Sequence, residues 1–159
     1  MGIGSNFSEA FYKAQLSIGM PIINLKENKQ LIAFISVSNI DKNKIAKIAK
    51  ILRTLGFNLI ATMGTANFIL QHGILVKSIS KNNISLLFKK YKINYVINTI
   101  NKKNNLIKKN YIIRNTAIIK KVPYTSTIAG AYAICMALKY CKKINKVRKI
   151  QDMHLLGVS

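Results

Sequence analysis

From Leu31 onward, short apolar runs alternate with segments of helical periodicity, and this alternation limits the possible folds more than any other feature of the chain. Continuous apolar runs rich in Ile, Val and Phe are typical of buried parallel strands. The intervening segments repeat apolar residues at intervals of three and four, with lysines opposite. Strands are predicted at 31–38, 57–62, 74–80, 93–99 and 122–126, and helices at 41–56, 65–73, 83–92, 106–121 and 128–143. Such alternation predicts an α/β fold of βαβ units around a parallel sheet.

A further helix is predicted ahead of this alternating region, within residues 1–19. Phe7, Ala10, Phe11 and Ala14 fall on one helical face, and either Asn6 or Ser8 is suited to cap the start. Residues 20–30 are polar and contain proline, so they are predicted to be a linker, and 31–159 is predicted to be one domain.

Composition favours a globular, cytoplasmic protein. Half of the 159 residues are hydrophobic, which is enough to form a core. No apolar stretch reaches the roughly 18 residues that a membrane helix needs, and the N-terminus lacks a secretory signal pattern. Cys135 and Cys141 face different sides of one predicted helix, so they are not expected to pair and fit a reducing compartment.

The formal net charge of +22 suggests a polyanionic partner, but the kind of basic residue argues against one. Lysine accounts for 23 of the 26 basic residues and arginine for 3. Lys, Asn and Ile are all abundant, and these residues have AT-rich codons. An AT-rich genome would therefore produce many surface lysines whatever the function of the protein. Proteins that read nucleic acids favour arginine and stacking aromatics, and this chain has no Trp. Nucleic acid is therefore not the expected partner, and no membrane is expected to be one.

The segment Thr62-Met63-Gly64-Thr65 stands where a predicted strand passes into a predicted helix. The first N–H groups of a helix favour an anion, glycine allows a ligand close to the backbone, and threonine hydroxyls add donors. These properties describe a phosphate cradle. The alternative is purely structural, with Thr65 as the helix N-cap and Gly64 as a turn residue.

Other polar residues are predicted to converge on the same place. They follow or end neighbouring strands, and the carboxyl ends of parallel strands form one edge of a sheet. They are Ser36, Lys42, Lys81, Asn98 and Thr99. Together with the threonines they predict a phosphate-binding site.

Several segments in order closely resemble the C-terminal regulatory domain of carbamoyl-phosphate synthase large chains. They are "FISVSNIDK" (34–42), "GFNLIATMGTA" (56–66), "YVINT" (95–99), "VPYTST" (122–127), "GAYAICMAL" (130–138) and "QDMH" (151–154). The leading "MGIGSNFSEAFYKAQ" is similar to the closing helix of the second ATP-grasp unit of the same family. The resemblance implies a methylglyoxal-synthase-like domain with a five-stranded parallel sheet and helices on both faces.

The resemblance also implies a function. The domain would be an allosteric part that binds nucleotide effectors, with UMP as inhibitor, IMP as activator, and ornithine at the border with the neighbouring ATP-grasp domain. The effector residues carried over are Lys42, Thr62, Gly64, Thr65, Lys81 and Asn98, and the ornithine-side residues are Tyr124 and Ser126. The implied protein partners are the ATP-grasp portion of the large subunit and the glutaminase small subunit. ATP and Mg or Mn would belong to the ATP-grasp domains, so neither a cofactor nor catalysis is expected of this chain.

Three departures from the family pattern leave alternatives open. Ile100 replaces a threonine, Thr125 replaces an acidic residue, and the segment after Lys81 is shorter and lacks its Gly-Arg-Pro loop. These departures leave open that the chain is a remnant without activity, and the charge alone leaves open a non-specific nucleic-acid-binding domain. Methylglyoxal synthase activity is not expected, because that chemistry needs carboxylates and the chain has 4 acidic residues, none at the end of an inner strand.

Overall fold

The computed structural model describes residues 1–18, 23, 30–80, 84–100, 107–141 and 151. The strands are β1 (Leu31–Ser36), β2 (Phe57–Thr62), β3 (Lys77–Ile79), β4 (Tyr95–Asn98) and β5 (Tyr124–Thr125). The helices are α1 (Phe7–Ser17), α2 (Lys42–Thr54), α3 (Met63–Gln71), α4 (Ile84–Lys90), α5 (Ile107–Ile119) and α6 (Ile128–Cys141). A 3₁₀ turn at Asn39–Asp41 leads into α2.

All five strands form one parallel sheet in the order β3-β2-β1-β4-β5. The chain runs outward from β1 through β2 to the edge strand β3, then crosses back to place β4 beside β1. The switch point of this doubly wound sheet therefore lies between β1 and β4. The predicted α/β fold with a five-stranded parallel sheet is confirmed.

Both faces of the sheet are covered, because alternate strand residues point to opposite sides. On one face, Ala33 and Ile35 pack with α2, α3 and α6. On the other, Phe34, Ile60 and Val96 pack with α4 and α5. The two-sided burial explains why the strands read as continuous apolar runs rather than as alternating patterns.

The predicted and observed element boundaries differ most at the two edges of the sheet. β2 spans the predicted residues, whereas β3 and β5 have only 3 and 2 residues. β3 pairs with β2 only from Ile60 to Thr62, and β5 pairs with β4 only at Val96 and Ile97, so the predicted ends of both edge strands lie outside the ladder.

The start of α3 corrects the structural interpretation of the Thr-x-Gly-Thr turn. The helix begins at Met63, and Thr62 rather than Thr65 occupies the N-cap position. Gly64 is therefore inside the first helical turn, and Thr65 is a buried residue of that turn. The Thr65 hydroxyl accepts a hydrogen bond from the Val37 N–H across the sheet, which draws it inward instead of capping its own helix.

Helix α1 packs against α6. Glu9 and Tyr12 are buried on this side, and the Tyr12 and Tyr140 rings lie 6.3 Å apart. The apolar face predicted from Phe7 and Phe11 points elsewhere: the two rings stack at 5.5 Å and Phe7 is exposed. The predicted linker falls mostly outside the described residues, and the proposed division at 19, 30 and 31 stays a prediction.

Candidate functional site

The carboxyl ends of the three inner strands bring polar side chains together at the switch point. Ser36 ends β1, Thr62 ends β2 and Asn98 ends β4, and all three are buried. The register aligns Ser36 with Asn98 across the β1–β4 pair. We call these three residues, with Thr65 and Thr99, the polar crown.

Two hydroxyl groups of the polar crown lie within weak hydrogen-bond distance of the Thr62 hydroxyl. Thr62 Oγ1 lies 3.3 Å from Thr65 Oγ1 and 3.5 Å from Ser36 Oγ. Hydroxyl hydrogen bonds are usually about 2.7–2.8 Å long, so these contacts are weak. Their hydrogens can turn toward a stronger acceptor at little cost.

The loop after β1 is held to the end of β4. The Ser38 N–H donates to Thr99 Oγ1 at 3.0 Å, and the Thr99 N–H donates to the Ser36 carbonyl at 3.1 Å. Asp41 occupies the N-cap position of α2, but its side chain makes no capping bond and instead accepts from the Ser38 hydroxyl at 2.8 Å. These bonds fix the loop that presents Lys42.

A lysine from α2 lies over the first turn of α3. Lys42 is the first residue of α2, and its Nζ lies 3.5 Å from the place where a side chain on Gly64 would begin. Thr62 at the N-cap of α3 makes no side-chain capping bond. A positive side chain thus stands beside a helix N-terminus, where the dipole also favours negative charge.

Asn98 is tied to α5 by contacts that the sequence did not predict. Its Nδ2 donates to the Asn110 carbonyl at 3.2 Å, and Arg114 Nη2 donates to the Asn98 carbonyl at 3.4 Å. Asn98 Oδ1 and Arg114 Nε are buried and have no partner among the described residues. One signal was available in the sequence: Arg114 is one of 3 arginines beside 23 lysines.

The structure places the other predicted site residues as follows. Lys81 lies outside the described residues. Tyr124 is a half-buried residue of β5 and Ser126 an exposed residue just after it. β5 pairs with β4, so both lie on the far side of β4 from β1 and make no hydrogen bond to the polar crown in the described part of the chain. Their predicted ornithine contact stays a prediction.

The described residues contain no group of three His, Cys, Asp or Glu side chains that could hold a metal ion. His72 is exposed at the end of α3, with Nδ1 2.9 Å from the Phe68 carbonyl. His154 and Asp152 lie outside the described part. Both cysteines are free, and burial raises the pKa of the Cys135 thiol to about 12. Among the described helices, none is long and apolar enough to cross a membrane.

Sheet order and polar crown together define a small doubly wound α/β domain with a polar site at its switch point. The family model of the MGS-like domain matches residues 44–126, just over half of the chain, and the chain belongs to this family.

Relatives extend the similarity over the whole chain. It is 41% identical to the carbamoyl phosphate synthase large chain of Halomonas eurihalina, covering 100% of this chain and 15% of the relative. It is 36% identical to that of Pasteurella multocida, covering 97% of this chain and 14% of the relative. It is 37% identical to the "C-terminal section" of the Aquifex aeolicus large chain, covering 98% of this chain and 29% of that protein. The predicted resemblance to this family is confirmed, while the chain spans a minor fraction of these relatives' length.

Proposed function

We propose that this chain is the nucleotide-effector-binding part of a carbamoyl-phosphate synthase large subunit. The observation that carries the proposal is the position of Lys42 Nζ beside Gly64, at the N-terminus of α3 and next to the polar crown. A phosphate there could accept from backbone N–H groups and from the weakly bonded Thr62 and Thr65 hydroxyls, and pair with the lysine. Its charge would offset part of the large positive charge of the chain.

The parent enzyme would make carbamoyl phosphate from bicarbonate, glutamine-derived ammonia and ATP for arginine and pyrimidine synthesis. The ATP-grasp portion and the glutaminase subunit would perform that chemistry in the cytoplasm. UMP or IMP bound at the polar crown would act by stabilising one arrangement of this domain against the ATP-grasp portion. Ornithine would contact the side of the domain that carries Tyr124 and Ser126.

The test is calorimetric titration of the chain with UMP and IMP at two salt concentrations. Lys42→Met is expected to weaken binding at least tenfold, because it removes the cation beside the helix N-terminus. Lys44→Met is the matched control, because it replaces an exposed lysine on the same helix and changes the net charge by the same amount. Equal loss in both variants would show that only the overall charge matters.

Gly64→Ala separates ligand access from folding. A methyl group there would lie 3.5 Å from Lys42 Nζ, an ordinary contact, so the fold is expected to tolerate it. Helical stability should rise by up to about 1 kcal/mol, since alanine favours a helix more than glycine does. Mononucleotide binding should fall because the methyl group occupies the approach to the backbone.

Two other outcomes identify the alternatives. Strong DNA or RNA binding that falls steeply with salt, without preference for mononucleotides, would indicate a non-specific basic domain. An absence of binding at millimolar UMP and IMP would indicate a remnant that has lost its effector site.

A further inference from the structure

A pocket lies at the edge of the sheet, next to the polar crown. It has a volume of about 230 Å³, is partly open to solvent and is lined by residues of β2, β3 and α4 together with Tyr91. Its apolar lining comes from Ile60, Ile79, Leu86 and Leu87, and its polar lining from Lys77, Ser78, Lys90 and Tyr91. None of these residues belongs to the polar crown.

Two lysines of this pocket gather around one phenol. Lys77 Nζ donates to Tyr91 Oη at 2.8 Å and lies 5.2 Å from the centre of the ring. Lys90 Nζ lies 5.8 Å from the same ring centre. The hydrogen bond from Lys77 lowers the pKa of Tyr91. The aromatic ring therefore holds two positive side chains on one rim of the pocket.

These positive charges lack an anionic partner within the described chain. The ion pair found there joins Glu9 to Lys13, on α1. The other described acidic residue, Asp41, accepts from Ser38 beside the polar crown. Two like charges held near one phenol repel each other, so an anion between them would be stabilised.

The walls set the shape of the ligand. Leu87 is buried, whereas Leu86 at the pocket is 62% exposed, so an apolar surface is open to a ligand. Drug-sized ligands fill pockets of roughly 300–1,000 Å³, so this one suits something smaller. A ligand that fits would combine a short apolar body with a single compact anionic head.

We propose that this pocket binds a medium-chain aliphatic carboxylate, with its tail on Ile60, Ile79 and Leu86 and its head between Lys77 and Lys90. The Tyr91 hydroxyl donates a hydrogen bond to the carboxylate. The proposed ligand touches no residue of the polar crown, although Ile79 pairs with Thr62 in the β2–β3 ladder.

The experiment is calorimetric titration of the whole chain with octanoate and two comparison probes. Octanamide keeps the apolar tail without the charge, and acetate keeps the charge without the tail. Saturable one-site binding of octanoate is expected, with both other probes at least tenfold weaker. Lys77→Met and Lys90→Met should each weaken octanoate binding at least tenfold. Two control variants should leave octanoate affinity unchanged: Lys50→Met, which replaces an exposed lysine on α2, and Lys42→Met.

Several results would overturn the proposal. Octanamide binding as tightly as octanoate would show that the pocket binds through apolar contacts alone. Equal weakening by Lys77→Met and Lys50→Met would show a general charge effect. An absence of saturable binding would show that the pocket takes no such ligand. Because Lys42→Met leaves this pocket intact, these failures are distinguishable from failure of the nucleotide site.

Discussion

Replacing Glu9 by Gln should weaken an acid-sensitive group of hydrogen bonds at the start of α1, of which the one from Tyr140 joins α1 to α6. The Glu9 carboxylate accepts from Lys13 Nζ at 2.7 Å, from Ser5 Oγ at 2.8 Å and from the Ser5 N–H at 3.0 Å. The Lys13 bond, then those from Ser5, and last one from Tyr140 on α6, lower the pKa of Glu9 from 4.5 to about 2. The charged form is thus favoured in the folded state.

The magnitude follows from that change in proton affinity. The pKa falls from 4.5 to about 2, and each tenfold change in proton affinity corresponds to about 1.4 kcal/mol, so the upper limit is about 3.5 kcal/mol. Lys13 is 23% exposed, so water screens part of the interaction and we expect about 1–2 kcal/mol. Because the folded pKa is lowered, this stability is fully present above about pH 4.5 and is lost as the pH falls toward 2.

The assay is urea unfolding followed by circular dichroism at 222 nm, at several pH values between 2 and 6. Glu9→Gln should lower the free energy of unfolding at pH 6 and flatten its decline toward pH 2. Asp41→Asn is the control, since it removes a carboxylate that does not contact α1. Parallel pH profiles for wild type and Glu9→Gln would refute the reasoning. Hydrogen exchange on α1 would detect local detachment of the helix without global unfolding.

Three further predictions concern the core and the titratable groups. Leu52→Ala should lower the free energy of unfolding by about 2–5 kcal/mol in the same urea assay, because Leu52 is fully buried in the core under α2; a loss below 1 kcal/mol would contradict that packing. In an alkaline absorbance titration, Tyr91→Phe should remove a phenol that ionises early, because the hydrogen bond from Lys77 lowers its pKa. Tyr95→Phe should change nothing below pH 11, because burial raises the pKa of Tyr95. Ionisation of Tyr95 before Tyr91 would contradict both environments. Iodoacetamide should label half-buried Cys141 in the native protein and spare buried Cys135, as mass spectrometry of the digested protein would show; equal labelling would mean that α6 opens readily.

The polar crown shows how far the sequence could predict a site. Thr62 and Asn98 were placed at strand ends by apolar runs alone, and parallel strands bring such ends to one edge. Sequence could not tell that Thr65 turns inward to the Val37 N–H, since that contact joins residues 28 positions apart. Arg114 escaped prediction for a similar reason: it meets Asn98 only because α5 packs beneath β4.

Helix α1 illustrates the same limit. Its existence followed from a helical apolar pattern. Of the two predicted caps, Asn6 and Ser8, the structure selects Asn6, whose Oδ1 accepts from the Glu9 N–H at 3.0 Å. The side that packs on α6 did not follow, because a polar Glu9 is buried there while Phe7 stays exposed. A hydrophobicity scale ranks side chains by their free energy of transfer out of water, which would keep Glu9 at the surface. Glu9 is buried because three neighbours donate hydrogen bonds to its carboxylate.

The sequence by itself determined the α/β class, the identity of most helices and strands, and the edge of the sheet where polar residues gather. These properties depend on local periodicity and on the rule that parallel strands share their carboxyl ends. Tertiary structure alone decided the distances: Lys42 beside Gly64, the hydroxyls around Thr62, and Lys77 and Lys90 around Tyr91. Such distances depend on how separate elements pack, and packing joins residues whose separation along the chain carries no periodic signal.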